Sequence, residues 1–77
     1  MIVQETIKKI QEAVPEITEL GRDITLEDCM IAIPTERFRF DDFYFLDSED
    51  NAVKWIPNKP FHKQSDETKN FIGNLLK

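Results

Sequence analysis

The sequence predicts a small α+β domain with helices packed on one face of a short antiparallel sheet. Three observations carry that expectation. Apolar residues recur at helical spacing in three stretches, Val3 to Ile17, Leu26 to Ile33 and Phe71 to Leu76. Seven of the eight aromatic residues lie between Phe38 and Phe61. Among these aromatics sits Asp47-Ser48-Glu49-Asp50-Asn51, whose short polar side chains favour a turn. The expected order is α-α-α-β-β-α, which resembles the order of a winged helix.

Val3, Ile7, Ile10, Val14 and Ile17 form the stripe of an amphipathic helix, interrupted by Pro15. Proline inside a helix costs about 3 kcal/mol, whereas at the first position it is tolerated. The pattern therefore predicts a helix over 2–13 and a short second one over 15–20, stopped by Gly21, with a single kinked helix as the alternative. Thr25 then reads as an N-cap with Asp28 three residues on, and Ile24 and Cys29 at the staple positions. Leu26, Cys29, Met30 and Ile33 share a face, and Pro34 ends the helix.

Phe38 to Asp47 reads as one strand, bent or bulged at Asp41-Asp42 so that neither carboxylate enters the core. Ala52-Val53-Lys54-Trp55-Ile56 is its return strand. A two-residue turn at Glu49-Asp50 would oppose Leu46 to Val53 and Tyr44 to Trp55 on the inner face. Phe43, Phe45 and Ile56 would then share the outer face. The expected core joins Trp55, Tyr44 and Leu46 to Ile7, Ile10, Met30, Phe71 and Leu75. Pro57-Asn58-Lys59-Pro60 is an irregular crossing, and Ser65 caps a last helix with Asp66 and Glu67 at its positive end.

At 77 residues the chain makes one domain. A net charge of −5 and a pI near 4.7 argue against binding to nucleic acid or to an anionic membrane. Under the winged-helix order, the Thr25–Ile33 segment would be the recognition helix. It carries Glu27 and Asp28 and no cation, so it would repel phosphate. One cysteine, with no signal peptide and no long apolar run, predicts a cytoplasmic protein. Cys29 itself reads as a core residue, because no basic neighbour activates it.

Chemistry is sparse. Asp47, Glu49 and Asn51 mimic the start of a calcium loop, but Ala52 replaces its glycine and Asn58 its final glutamate. His62 is the single histidine, and no cysteine stands near it to complete a zinc site. No nucleophile–base pair or phosphate loop is visible, so neither catalysis nor a cofactor is expected. Two candidate surfaces remain. One is the apolar outer face of the hairpin, Phe43, Phe45 and Ile56, which would serve a protein partner or a homodimer. The other is acidic: Asp41, Asp42, Asp47, Glu49 and Asp50, five carboxylates within ten residues, which could rim that face. They also support an alternative function, a nucleic-acid-mimicking inhibitor of a host nucleic-acid-binding protein.

The run from Trp55 to Thr68 resembles the ends of small uncharacterised phage or prophage proteins. Those place a tryptophan before Lys-Pro (here Lys59-Pro60), then His-x-Gln-Ser-x-Glu-Thr (here His62 to Thr68) and a short apolar helix. Ile24-Thr25-Leu26-Glu27-Asp28 is similar to them as well. The resemblance covers about a third of the chain and transfers no activity to particular residues. It implies a small phage-encoded accessory protein that works by binding, as inhibitors of host defence do. The leading expectation is thus a noncatalytic protein-interaction module.

Overall fold

In the computed structural model, which describes residues 3–16 and 23–76, helix formation follows the local signals closely. Helix α1 spans Val3–Ala13 and buries Ile10, with Val14 just beyond its end. The helix expected over 15–20 and its Gly21 stop fall largely outside the described residues. Helix α2 spans Leu26–Ala32 behind a complete capping box. The Thr25 hydroxyl accepts from the Asp28 amide, and the Asp28 carboxylate accepts from the Thr25 amide at 2.9 Å. Two otherwise orphaned donors are thereby satisfied. Before Pro34, Ile33 has already left the helical region (φ −103°, ψ 124°), as the proline ring requires. Helix α3 spans Asp66–Leu75 behind Ser65, whose hydroxyl accepts from the Thr68 amide at 3.2 Å.

The aromatic region departs from expectation in two ways. First, the stretch from Phe38 to Asp47 is two strands, β1 (Phe38–Asp41) and β2 (Tyr44–Asp47). Asp42 and Phe43 both take positive φ, 46° and 67°, and reverse the chain in two residues. Positive φ at both central positions is the pattern of the type I′ turn, whose twist matches that of the strands it joins. The bend expected at Asp41-Asp42 is therefore a full hairpin. With β3 (Ala52–Lys54), the sheet is a three-stranded antiparallel meander in the order β1-β2-β3.

Second, the register between β2 and β3 differs by one residue from the one expected. Tyr44 lies opposite Lys54, Phe45 opposite Val53 and Leu46 opposite Ala52. The Asp50 amide donates to the Asp47 carbonyl, and the Asp47 amide to the Asn51 carbonyl. Asp50 itself sits at φ 63°. The loop is thus three residues long, a turn followed by one left-handed residue, rather than the two-residue turn at Glu49-Asp50. A slip of one residue exchanges the two faces of a strand. Accordingly Phe45 is fully buried, and Tyr44 points outward with 41% of its surface exposed.

The architecture is α+β, with helices on the inner face of the sheet and the other face uncovered by any described element. Phe45 is the centre of the core. Its ring lies 5.4 Å from Phe38, 5.0 Å from Phe40 and 5.6 Å from Trp55, the last edge to face. Ile10, Cys29, Ile33, Phe61, Ile72 and Leu75 close over this cluster. Leu46, Ile7 and Phe71 are half-buried, and Met30 turns outward, contrary to its place in the expected core.

Truncating Phe45 to alanine is expected to cost about 3–5 kcal/mol. That is comparable with the roughly 3–5 kcal/mol that a single core of this size supplies. Tyr44→Ala should change stability by only about 0.5 kcal/mol. Urea denaturation of the two variants distinguishes the observed register from the slipped one, because the slipped register reverses the ranking.

Candidate functional site

The outer face of the sheet follows from strand alternation. Arg39 and Asp41 on β1, Tyr44 and Leu46 on β2, and Ala52 and Lys54 on β3 point away from the helices. Their burial agrees: all are exposed except Leu46, which is half-buried. Paired by register, they form two rows across the sheet, Asp41–Tyr44–Lys54 and Arg39–Leu46–Ala52. Ile56 continues the outward positions of β3 with 38% exposure, and Phe43 stands at the tip of the first hairpin with 54%. Of the three residues expected to form an apolar outer face, Phe43 and Ile56 are therefore at the surface. Phe45 is not, and Tyr44 takes its place.

Phe43 is costly where it stands. A residue with a Cβ in the left-handed region loses about 1–2 kcal/mol relative to the right-handed one. Asparagine or glycine relieves that penalty at this turn position, whereas an aromatic residue does not. The exposed ring recovers little of the loss through burial. The backbone is nevertheless held firmly, because the Trp55 amide donates to the Phe43 carbonyl at 2.7 Å. The strain is therefore a cost to stability that the contacts of the ring itself do not offset.

The five carboxylates do not form one cluster. Asp41 and Asp42 lie at the β1–β2 turn, and Asp47, Glu49 and Asp50 at the opposite end of β2. Arg39 donates to Asp50 at 2.8 Å and neutralises it. Asp47 is occupied by its own loop, accepting from the Glu49 and Asn51 amides and from the Asn51 side chain. The Asn51 side chain, then those two amides, hold its carboxyl below the ordinary 3.8. The residues that mimic a calcium loop thus build a turn. Among the described residues, no three His, Cys, Asp or Glu side chains gather where a metal could be held.

Cys29 is fully buried, and burial together with the adjacent Asp28 charge pushes its thiol up to about 12. It is a core residue and no nucleophile at neutral pH. His62 pairs with Asp23 at the surface. A cleft of about 470 Å³ between β3 and α3 is open and lined by Asn51, Val53, Glu67, Asn70 and Asn74, among others. No described helix is long and apolar enough to cross a membrane.

Gln64 went unrecognised in the sequence. It is buried at the end of the 3₁₀ turn Phe61–Lys63. Its Nε2 donates to the carbonyls of Ile56 (2.9 Å) and Lys59 (2.7 Å), while its Oε1 accepts from the Ile56 amide at 3.0 Å. One side chain thereby occupies both backbone groups of Ile56, just past the end of β3, and the Lys59 carbonyl. Thr68 adds a bond from its hydroxyl to the Lys54 carbonyl at 2.9 Å. Within Trp55 to Thr68, Trp55, Phe61, Gln64, Ser65 and Thr68 all serve the fold.

No family model, curated protein or solved structure matches the chain.

Two measurements follow from these turns. Phe43→Gly should raise the unfolding free energy by about 1 kcal/mol by removing the left-handed penalty. Because the folded chain holds Asp47 below 3.8, unfolding takes up a proton near that pH. This part of the stability is whole above 3.8 and is lost as pH falls through the folded-state value. Denaturation midpoints measured from about pH 5 down to about pH 2 should fall less steeply for Asp47→Asn than for the wild type.

Proposed function

We propose that the chain is a noncatalytic protein-interaction module, a small accessory protein of phage type, which binds through the outer face of its sheet. The observation that supports this reading is the exposed aromatic pair Phe43 and Tyr44, with Ile56 beside them. Small domains seldom expose such a cluster without use, and the strained Phe43 turn adds a cost to stability that binding can offset. Asp41 and Asp42 sit at the margin of this face. They supply the polar rim that accompanies an apolar interface centre and govern how fast a partner arrives. A second exposed apolar pair, Met30 and Ile31 on α2, lacks both the aromatic character and the strain.

The reading is tested by placing a photocrosslinking residue at Tyr44, at Ile31 or at Asn58 and irradiating the protein in its native cell. A specific protein adduct is expected at Tyr44, and none at Ile31 or Asn58. The adduct should weaken when Phe43→Gly is added, although that variant folds more stably. Adducts at Ile31 alone, or none at any position, overturn the assignment.

A further inference from the structure

The outer face carries a charge pattern that selects its occupant. Across the row Asp41–Tyr44–Lys54 it reads acid, aromatic, base, in strand order β1-β2-β3. All three residues are exposed, and neither the Asp41 carboxylate nor the Lys54 ammonium has an ion-pair or hydrogen-bonding partner among the described residues. The other exposed charge on the face, Arg39, is already paired with Asp50.

Consider a two-fold axis running along β2, midway between two stacked copies of the sheet. It sets β1 of one copy over β3 of the other and leaves position along the strand unchanged. Asp41 then faces Lys54 of the second copy, and Lys54 faces Asp41 of that copy. Tyr44 meets its own symmetry mate at the centre, with Leu46 and Ala52 in the neighbouring row. Stacked sheets lie about 10 Å apart, a gap that a lysine and an aspartate side chain span together. An isologous interface demands this self-complementarity of one patch. A face carrying only acids would instead repel its copy.

We infer that the partner for this face is a second copy of the chain, docked sheet to sheet about a two-fold axis with reciprocal Asp41–Lys54 pairs. The inference rests on the interaction reading above and names the occupant. Three strands about 4.8 Å apart and four residues long give a face roughly 10 Å by 14 Å. That is well below the roughly 800 Å² that each partner contributes to a standard interface. The dimer is accordingly weak, reversible and sensitive to salt.

The experiment is sedimentation equilibrium over a concentration series with Asp41→Lys, Lys54→Asp, the double variant and an equimolar mixture of the single variants. Both positions are exposed, and circular dichroism verifies that each variant folds. The wild type should self-associate, and more weakly as salt rises. Each single variant, with like charges opposed twice, should weaken association about tenfold or more. The double variant restores both pairs in exchanged positions and should regain wild-type association. The mixture should do the same as a heterodimer, because each single variant carries the charges its counterpart lacks.

Single variants that associate as well as the wild type would overturn the proposal, as would a double variant that is not rescued. A wild type that stays monomeric throughout would also overturn it. If Tyr44 adducts to a different protein persist in that last case, the interaction reading stands and only the second copy is ruled out. If they too are absent, both fall.

Discussion

Which side of β2 turns inward is decided by three exposed residues. Ser48, Glu49 and Asp50 close the second hairpin, and Asp50 adopts the left-handed conformation that this loop length requires. Among the described strands β2 alone has a neighbour on each side, so its register fixes both ladders together. Phe45 rather than Tyr44 then meets Trp55, and Phe38 and Phe40 join them. The helices pack on whichever face this turn presents. Asp47 makes the loop a structure of its own, collecting three hydrogen bonds on one carboxylate.

The helical part of the fold was legible because its signals are local. Thr25 with Asp28, Ser65, and the proline after Ile33 act within one turn of the residues that carry them. The sheet was legible only in composition. Val53 and Trp55 face the core in the expected register and in the observed one alike, so their burial was safe. For β2 the two registers give opposite answers, and neither loop contains the Asn-Gly or Asp-Gly pair that would have chosen between them. The first hairpin was harder still, since Phe43 opposes the intrinsic preference of its position. A sequence departs from local preference most where something other than folding has acted on it.

The candidate site was legible to the same degree. Phe43 and Ile56 were identifiable as surface aromatic and aliphatic residues; Phe45 and Tyr44 were exchanged by the slip in register. The carboxylates, within ten residues of one another in sequence, sit at two turns at opposite ends of β2, of which only the second was foreseen. Gln64 was invisible for another reason. Its three bonds join backbone groups brought together only by tertiary folding. The one available clue was that a crossing broken by Pro57 and Pro60 makes no regular ladder of its own, so its backbone groups need partners from elsewhere.

The side chains of Gln64 and Thr68 also give the two rims of the sheet different fates. On the β3 rim the Lys54 carbonyl and both backbone groups of Ile56 are already taken. On the other rim, β2 turns the backbone of Tyr44 and Leu46 toward β1, because Phe43, Phe45 and Asp47 serve β3. The N–H and C=O groups of Phe38 and Phe40 consequently point away from the sheet. An incoming strand would find a full row of groups on that rim, whereas on the β3 rim the Lys54 carbonyl is taken and the ladder ends at the occupied Ile56. Endless growth by strand addition needs two open rims per molecule. Occupying part of one rim shortens the ladder that an added strand can form there, which discourages a small, aromatic-rich β-meander from polymerising.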